Sequence, residues 1–263
     1  MLFFAKCEII NLYKNEGVDF MDAKKLSEIL KGSNNIVFFG GAGMSTESGI
    51  SDFRSENGLY KTSAGFDYPP ETMLSHSFYV SHTSEFFRYY KEKMIFRDAK
   101  PNPGHHALAH LEKEGKLKAV ITQNIDGLHQ LAGSKKVYEL HGSVHRNYCT
   151  GCNKFYDLDF ITTSEDIPVC PACNGIVKPD VVLYKEALDD RVVNGAVTAI
   201  KQADILIVGG TSLVVYPAAG LINYFNGSKL ILINKSSTPY DSKANIVIHD
   251  SVGKLLGAVI EML

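Results

Sequence analysis

The sequence lacks the long apolar run that a membrane-spanning helix requires, since no stretch approaches about 18 apolar residues. It also lacks an excess of charge of either sign, because 27 Lys and Arg face 29 Asp and Glu and the formal net charge is −2. Without a general positive field, a protein that mainly coats nucleic acid is disfavoured. Repeats and low-complexity segments are absent too. The 45% hydrophobic and 21% charged residues are ordinary globular usage, which disfavours a disordered or fibrous chain.

The first residues do not resemble a secretion signal. Met1–Ala5 is apolar, but Lys6 and Glu8 interrupt it before it reaches the length of a signal-peptide core. We therefore expect a cytoplasmic protein. Met21 opens a favourable helix that leads directly into the first predicted strand. This pattern favours Met21 as the physiological start and residues 1–20 as a dispensable N-terminal extension.

Four of the five cysteines form two closely spaced pairs. Two residues separate Cys149 from Cys152 and Cys170 from Cys173, and 17 residues lie between the pairs. Such a gap lets both thiolates of a pair reach one tetrahedral ion at about 2.3 Å, which predicts a zinc ribbon with one structural Zn²⁺. Four thiolates leave no open coordination position, so this metal would hold structure rather than activate water. We interpret the isolated Cys7 as an unpaired thiol.

Short β-branched and apolar runs alternate with helical patterns along the chain. The runs are continuous rather than alternating in polarity, as expected for strands buried on both faces of a parallel sheet. Residues 104–114 have Ala107, Leu108 and Leu111 on one side, which predicts a helix. The alternation predicts an α/β fold, a doubly wound, Rossmann-like parallel sheet with a small inserted zinc-ribbon and helical domain. The five predicted strands are Ile36–Phe39, Ala119–Thr122, Ile205–Val208, Leu230–Ile233 and Ile246–Ile248.

Two insertions divide the predicted sheet domain. One is rich in Tyr, Phe and Ser and is predicted to be helical from Ser81 to Phe96, and the other contains the zinc pairs. The expected parts are a Rossmann-like domain of residues 21–57, 98–145 and 179–263, a helical insertion with a cofactor loop at 58–97, the zinc ribbon at 146–178 and the extension at 1–20.

A glycine-rich turn follows the first predicted strand. Such turns, placed between a strand and a helix, bring backbone N–H groups and the helix dipole to a pyrophosphate. Gly41 and Gly43 fit the dinucleotide fingerprint, but Thr46 occupies its third glycine position and Gly49 lies further on. No Asp or Glu ends a second strand about 20 residues later, which disfavours an ordinary nicotinamide dehydrogenase. Taken alone, the turn fits either a phosphate site or a tight structural loop.

Polar residues recur where the predicted strands end. Gln123, Asn124 and Asp126 follow the second strand, Thr211 follows the third, and Asn234 ends the fourth. The carboxyl ends of parallel strands form the edge at which an open α/β sheet binds ligands. Each cluster could be a cap or a turn, but together they predict one ligand site.

These segments together resemble the sirtuins, the NAD-dependent protein-lysine deacylases, and most closely their bacterial members. The resemblance runs from about Lys25 to the end and includes GAGMSTESGISDFR, TQNIDGLH, ELHG, the paired cysteines, KPDVVLYKEAL and GTSLVVYPA in that order. It implies an NAD-dependent protein-lysine deacetylase that transfers acetyl to ADP-ribose and releases nicotinamide and O-acetyl-ADP-ribose. NAD would be a co-substrate and acetyl-lysine proteins or peptides the partners. We expect a monomer with no nucleic-acid or membrane partner.

In the family, NAD lies in the cleft between the sheet domain and the small zinc-bearing domain. The resemblance implies pyrophosphate contacts from the glycine loop, a ring that shields the reacting ribose carbon, and a nicotinamide contact from Asp126. His249 matches a late backbone contact to adenine, and we expect no role for its side chain. The implied cofactor-binding residues are Ala42, Gly43, Thr46, Phe53, Arg54, Gln123, Asn124, Ile125, Asp126, His141, Thr211, Ser212, Asn234 and His249.

The resemblance assigns catalysis to His141 and Asn124. An imidazole with a pKa near 6.5 can accept a ribose-hydroxyl proton at neutral pH, so His141 is the implied general base. Asn124 would orient a ribose hydroxyl or a water molecule. On the substrate side, Val182 and Tyr184 lie in a segment beside which a peptide can add as a strand, and Val215 matches the far side.

Several residues depart from the family pattern. Ser51 replaces a usual proline, which predicts a looser cofactor loop, and Lys185 replaces a usual glycine, which favours acidic sequences near the modified lysine. Members that remove succinyl or malonyl groups carry a Tyr-x-x-Arg pair, and the matching residues here are Phe87 and Tyr90. The expected acyl groups are therefore neutral, acetyl first. Tyr184 stands where the family usually has Phe.

Three other functions fit the sequence less well. A dehydrogenase would need a hydride acceptor site and a ribose-binding acid, which the sequence does not show. A nucleic-acid-binding zinc module is disfavoured because the ribbon holds only Arg146, Lys154 and Lys178 as basic residues. Protein ADP-ribosyl transfer is the alternative within the family, but members specialised for it often lose the catalytic histidine, which is present here as His141.

Overall fold

The computed structural model describes residues 19–55, 58–62 and 65–263. The first described helix, α1, spans Phe20–Lys31, and the Asp19 carboxylate caps it by accepting from the Met21 N–H at 2.7 Å. The helix predicted to open at Met21 is therefore present and begins one residue earlier. Residues 1–18 of the expected extension lie outside the described residues, so that expectation stays a prediction.

Six parallel strands form the main sheet in the order β3-β2-β1-β7-β8-β9. Counted among these six strands alone, the order across the sheet is 3-2-1-4-5-6. This is the strand order of dinucleotide-binding folds, in which the direction of winding reverses beside β1. All five predicted strands are confirmed, four of them with slightly longer bounds. Sequence reasoning missed β3, whose three residues are only half buried. The strands are β1 Ile36–Gly40, β2 Leu117–Thr122, β3 Val137–Glu139, β7 Ile205–Gly209, β8 Lys229–Ile233 and β9 Ile246–Ile248.

Helices cover both faces of this sheet, which explains why its strands are apolar throughout. Along β1, Ile36 and Phe38 pack in one hydrophobic core with the first and last helices of the described chain. Val37 and Phe39 pack in a second core on the opposite face of the sheet. The predicted helix at residues 104–114 is confirmed as α6. The covering helices are α1, α6 (Pro103–Lys113) and α10 (Val252–Ile260) on one face, with α9 (Asp190–Gln202) and the 3-10 helix Ala218–Tyr224 on the other. A short helix α7, Leu128–Leu131, follows β2.

A smaller antiparallel sheet in the order β5-β4-β6 contains the cysteine pairs. Its strands are β4 Gly142–Cys149, β5 Phe155–Tyr156 and β6 Val177–Val181, and α8, Leu158–Thr163, lies beside β4. The sheet therefore begins before the predicted ribbon start at residue 146 and ends after its predicted end at 178, because β4 and β6 continue toward the main sheet.

The other insertion is helical and shares its core with the small sheet. Its helices are α2 Leu59–Thr62, α3 Pro70–Met73, α4 His76–Ser81 and α5 Thr83–Lys93. The helix predicted over Ser81–Phe96 corresponds to α5, which is shorter at both ends. Phe86 and Tyr90 of α5 are buried in the same apolar cluster as Val144 and Ile161 of the zinc-ribbon region. Within residues 19–55, 58–62 and 65–263, no helix is both long and apolar enough to span a membrane.

Candidate active site

One large cavity of about 1330 Å³ lies at the carboxyl edge of the main sheet. Its wall is formed by the loops after β1, β2, β7 and β8, by the segment between β3 and β4, and by the segment after β6. The structure thus brings together sixteen of the seventeen non-cysteine residues that the sequence assigned to the site. These sixteen are Ala42, Gly43, Thr46, Phe53, Arg54, Gln123, Asn124, Ile125, Asp126, His141, Val182, Tyr184, Thr211, Ser212, Val215 and Asn234.

His249 is the predicted site residue that does not belong to this lining. Its Nδ1 lies 3.2 Å from the Asn234 carbonyl oxygen, so the imidazole supports the backbone at the end of β8. The expected absence of a ligand role for this side chain fits that position. The next residue, Asp250, does line the cavity.

The glycine loop after β1 packs directly against the loop after β7. The Gly43 N–H donates to the Gly210 carbonyl at 2.7 Å, and a Cβ added to Gly43 would lie 2.7 Å from the Gly210 Cα. A side chain at residue 43 would therefore separate the two loops. Two short 3-10 helices, Ala42–Met44 and Thr46–Ser48, follow this turn.

Phe53 and Arg54 lie on a loop that folds back on itself beside the cavity. The Asp52 carboxylate accepts from the N–H groups of Arg54 at 3.0 Å and Ser55 at 2.7 Å, which fixes the turn. The Arg54 guanidinium reaches the Ser212 hydroxyl at 3.5 Å, so the loop after β1 contacts the loop after β7. Both cofactor-loop side chains therefore face the cavity from a turn that the protein has already shaped.

Asn124 and Asp126 share a buried serine hydroxyl. Ser45 Oγ donates to Asp126 Oδ2 at 2.7 Å and lies 2.9 Å from Asn124 Nδ2, from which it accepts. Asp126 Oδ1 accepts from the Leu128 N–H at 2.9 Å, at the start of α7. Burial raises the pKa of Asp126, and the hydrogen bonds from Leu128 and Ser45 oppose that effect. The amide and the carboxylate are thus held in fixed orientations before any ligand binds.

The orientation of His141 leaves one ring nitrogen available. Its Nδ1 lies 2.9 Å from the Gln123 carbonyl oxygen, which can only accept, so Nδ1 carries the proton and Nε2 has a free lone pair. Burial lowers the pKa of His141, and the hydrogen bond to Gln123 partly opposes this shift. The imidazole is therefore neutral and basic at Nε2 at physiological pH. Gly142, at φ 76°, makes the turn into β4 that this placement needs, and a Cβ there would strike the Asp180 carbonyl oxygen.

Thr211 and Asn234 support one another at the far end of the cavity. Asn234 Oδ1 accepts from the Thr211 N–H at 2.8 Å, and Gln123 Nε2 donates to Thr211 Oγ1 at 3.0 Å. Asn234 Nδ2 is buried and has no hydrogen-bond partner within the described part of the chain. An unsatisfied amide donor in a cavity-lining residue fits a site built for a polar ligand.

The segment after β6 lines the cavity and is held there by backbone hydrogen bonds. The Val182 N–H donates to the His141 carbonyl at 3.0 Å, which ties this segment to the predicted base. Tyr184 is bound to the helical insertion, because its N–H donates to Leu74 at 2.9 Å and its carbonyl accepts from His76 at 3.0 Å. Val215 lines the same cavity from the loop after β7.

The four paired cysteines form one compact cluster at the end of the small sheet. Their Sγ atoms all lie within 4.8 Å of one another, with Cys149 and Cys173 at 3.2 Å and Cys152 and Cys170 at 3.7 Å. A tetrahedral ion with Zn–S bonds of about 2.3 Å needs sulfurs roughly 3.8 Å apart, so the donor set fits zinc. An Asn with φ near 60° follows each pair and closes both turns in the same way, which supports the interpretation as two zinc knuckles.

Comparisons with known proteins agree with this arrangement. Residues 41–217 match the Sir2 family. The chain belongs to the Sir2 family. A protein of Clostridium acetobutylicum named NAD-dependent protein deacetylase is 66% identical over 90% of this chain and 97% of its own length. A protein of the same name from Clostridium tetani is 66% identical over 92% of this chain and 99% of its own.

Solved Sir2 structures share the fold. One, in complex with a deacetylated peptide and 3′-O-acetyl-ADP-ribose, superposes with a TM-score of 0.83 at 41% identity and covers 91% of this chain and 97% of that chain. Another, with a peptide and NAD⁺, has a TM-score of 0.79 at 41% identity and covers 90% and 97% of the two chains. The predicted sirtuin resemblance and the Rossmann-like fold are confirmed.

The residues of this Sir2 chain that depart from the family pattern lie in two environments. Ser51 and Lys185 line the cavity, and Lys185 adopts a left-handed conformation with φ 74° that the usual glycine would adopt without strain. Phe87 and Tyr90 are fully buried in the helical insertion and do not belong to the cavity lining. These two positions therefore supply no cation to an acyl group.

Sequence reasoning missed several residues of this Sir2 site. Ser45 was quoted within the glycine-loop motif but given no role, although it connects Asn124 with Asp126. Residues 235–237 and 250–252 also line the cavity, but they follow β8 and β9 without any spacing that marks them as ligands.

Proposed function

We propose that this Sir2 protein is an NAD-dependent protein-lysine deacetylase that transfers acetyl to ADP-ribose and releases nicotinamide and O-acetyl-ADP-ribose. The observation that carries the proposal is the position of His141. Its Nδ1–H is held by the Gln123 carbonyl, its Nε2 is free to take a proton, and its own carbonyl holds Val182 of the substrate segment. One residue thus links the implied cofactor and peptide sites. Relatives at 66% identity that are named NAD-dependent protein deacetylase support the same activity.

NAD fits the cavity as a co-substrate spread along the carboxyl edge of the sheet. The pyrophosphate belongs beside Ala42, Gly43 and Thr46, where the glycine loop brings backbone close to the ligand. Asp126 would accept from the carboxamide, and Asn234 offers its unsatisfied amide to the adenosine half. The remaining proposed contacts are Gln123, Asn124, Ile125, Thr211 and Ser212 along the wall, with Phe53 and Arg54 on the loop above.

The proposed reaction begins at the ribose carbon that bears nicotinamide. The carbonyl oxygen of the acetyl-lysine forms a bond to that carbon while the bond to nicotinamide breaks, which gives a cationic imidate. Phe53 excludes water from this centre, and the Val182 carbonyl accepts from the acyl-amide N–H. A peptide strand added beside Val182–Tyr184 would bring the acyl group to this point.

His141 acts in the second stage. Its Nε2 takes the proton of a ribose hydroxyl, whose oxygen attacks the imidate carbon, and Asn124 orients the hydroxyl or the water. Water then completes the breakdown to free lysine and O-acetyl-ADP-ribose. The lowered pKa of His141 keeps the imidazole neutral before the reaction, as a general base requires.

The four cysteines would hold one structural Zn²⁺, and no step of the reaction uses it. With all four ligands supplied by the protein, the ion has no open position for water or substrate. Bound there, it would cross-link the turn after β4 to the turn before β6 and so stabilise β6, the strand that leads into the substrate segment.

We assign the parts of the chain as expected from the sequence. Residues 21–57, 98–145 and 179–263 form the NAD-binding domain, 58–97 the helical insertion with the cofactor loop, 146–178 the zinc ribbon and 1–20 an extension. The shared core of the helical insertion and the ribbon supports treating these two insertions as one small domain.

We also propose a cytoplasmic monomer without a nucleic-acid partner. Four thiolates that bind zinc suit a reducing compartment. Two of the three basic residues of the ribbon are already engaged, since Arg146 pairs with Glu139 and Asp180, and Lys178 pairs with Glu186. Such cations are not available to neutralise phosphates.

Mass spectrometry of an acetyl-lysine peptide incubated with the enzyme, with and without NAD, tests the activity. The proposal predicts loss of the acetyl group only with NAD and only in the unmutated enzyme, and none with His141→Ala. Circular dichroism of the variant serves as the control for folding. A peptide that stays intact while ADP-ribose becomes attached to protein would favour ADP-ribosyl transfer instead.

A further inference from the structure

Two tyrosine hydroxyls meet between the cofactor loop and the substrate segment. Tyr60 Oη and Tyr184 Oη lie 3.1 Å apart in a partly buried contact. Tyr60 belongs to α2, directly after the loop of Phe53 and Arg54, whereas Tyr184 follows β6. A hydrogen bond between these hydroxyls therefore joins two parts of the site that are far apart in the chain.

Tyr60 is fixed to the cofactor loop by its backbone and its ring. Its N–H donates to the Phe53 carbonyl at 3.0 Å, and its ring centroid lies 5.9 Å from that of Phe53 in an edge contact. The Arg54 guanidinium lies 5.4 Å from the Tyr60 ring centroid, a cation–π contact. A shift of Tyr60 consequently shifts both cofactor-loop side chains.

Tyr184 is anchored independently of that loop. The N–H of Tyr184 donates to Leu74 and its carbonyl accepts from His76, so its backbone is held by the helical insertion. The preceding Leu183 N–H donates to Glu186 Oε2 at 2.8 Å, and Glu186 in turn pairs with Lys178 at 3.2 Å. Tyr184 is thus held by the helical insertion and Tyr60 by the cofactor loop.

The Tyr60 hydroxyl keeps its proton. Burial raises the pKa of Tyr60, and the hydrogen bonds with Tyr184 and Glu71 add to the shift, so the phenol stays protonated. A phenol oxygen can donate or accept, so the Tyr60–Tyr184 hydrogen bond needs both hydroxyls. Removing either oxygen therefore removes this bond.

We propose that Tyr60 and Tyr184 are positioning residues that couple the substrate segment to the cofactor loop. This inference rests on the proposed deacetylase function and adds to it a link through which a hydroxyl on the peptide side contributes to NAD binding. Neither hydroxyl needs to touch the reacting atoms, because the pair acts through Phe53 and Arg54. The unusual tyrosine at position 184 supplies the link that a phenylalanine there would lack.

Steady-state kinetics of Tyr184→Phe, Tyr60→Phe and the double variant test the coupling, with NAD and an acetyl-lysine peptide each varied. Each single variant should raise the KM for NAD about three- to tenfold, as expected for one lost hydrogen bond, while kcat changes less than about twofold. The double variant should resemble either single variant, because all three lose the same bond.

Tyr240→Phe is the matched control. It also removes a hydrogen-bonded tyrosine hydroxyl, 3.2 Å from Asn223 Nδ2, but Tyr240 does not belong to the cavity lining, so the KM for NAD should stay at the wild-type value. An unchanged KM for NAD in both single variants, or a double effect equal to the product of the two, would overturn the coupling. If the unmutated enzyme failed to deacetylate, the proposed function would fail, and calorimetric NAD affinities of the same variants would still decide the coupling.

Discussion

At the scale of single residues, the site depends on side chains that hydrogen bonds within the protein hold in fixed orientations. The Gln123 carbonyl fixes the proton of His141 on Nδ1, so that Nε2 remains basic. Ser45 fixes Asn124 and Asp126 by one hydroxyl. Such internal hydrogen bonds would orient the groups proposed to react before substrate binds, which lowers the free-energy cost of reaching the transition state.

The pH dependence of turnover should report His141. The base must be neutral to act, and burial lowers its pKa from the usual value near 6.5, so activity should persist below neutral pH. As the pH falls through that lowered pKa, the imidazole becomes protonated and kcat decreases. A kcat–pH profile at saturating substrates measures this, and an acid limb centred above pH 7 would contradict the assignment.

Removing the hydroxyl of Ser45 should impair catalysis more than stability. In Ser45→Ala, Asn124 and Asp126 lose their shared partner, so we expect roughly a tenfold decrease in kcat/KM, the effect of about one good hydrogen bond. Ser27→Ala is a matched control, since Ser27 is equally buried but its hydroxyl bonds the Lys24 carbonyl within α1. Equal losses of activity in the two variants would contradict a specific role for Ser45.

The residue assignments were predictable to different degrees. His141, Asn124 and the glycine loop could be predicted as site residues because they belong to long motifs of specific residue type and order. All three line the cavity. Ser45 and the residues after β8 and β9 could not be found in this way, since their roles come from distances between loops that the sequence does not encode locally.

At the scale of elements, two buried histidines join α6 and α7 beneath the sheet. The ring centroids of His105 and His129 lie 4.7 Å apart, and both side chains are essentially inaccessible. Burial lowers the pKa of His105 to about 4, with His106 adding to the shift, and lowers the pKa of His129 well below its usual value. Neither is part of the proposed chemistry.

These histidines should make stability fall in mild acid. Because the unfolded state, with a pKa near 6.5, binds protons that the folded state rejects, the free energy of unfolding decreases as the pH falls below about 6.5. The expected loss between pH 7 and pH 5 is roughly 2 kcal/mol for His105, and His129 should add to it in the same direction. Urea unfolding across this range measures it.

Titration of the native imidazoles separates this cause from others. Proton NMR should find His105 and His129 still neutral at pH 5 in the folded protein. His110→Gln, at an exposed position of α6, controls for the loss of a histidine as such. Protonation of both buried rings without loss of stability would refute this explanation.

The zinc knuckles are the second element-scale prediction. Cys170→Ser should abolish zinc binding and destabilise the small sheet, because Cys170 is fully buried and its Sγ lies 3.7 Å from Cys152 Sγ. Cys7→Ser, outside the described residues, is the matched control and should retain about one zinc per chain. Elemental analysis by mass spectrometry and limited proteolysis within residues 142–181 measure both effects. Full zinc content in Cys170→Ser would contradict the four-cysteine site.

Helices and strands could be predicted from the sequence where they were long or were buried on both faces. Five sheet strands read as continuous apolar runs because helices cover both of their faces. The strand β3 was missed because Val137–Glu139 is short and half exposed. The small sheet extends beyond residues 146–178, since β4 begins at Gly142 and β6 ends at Val181. No change in composition marks these ends in the sequence.

At the scale of the whole molecule, one cavity connects three parts of the chain. The sheet domain supplies the glycine loop and His141, the helical insertion holds Tyr184, and the segment after β6 presents Val182 to the same space. The fold class was predictable because strand and helix patterns alternate. The packing of the helical insertion against the zinc ribbon could not be predicted, because their shared core joins residues that are distant in the sequence.

The measurement that tests the central claim most directly is the stoichiometry of products formed from an acetyl-lysine peptide and NAD. The account predicts that each deacetylated peptide is matched by about one nicotinamide and one O-acetyl-ADP-ribose, since the acetyl group moves to the ribose through the hydroxyl that His141 activates. Free acetate with NAD left intact, or nicotinamide released while the peptide keeps its acetyl group, would contradict it.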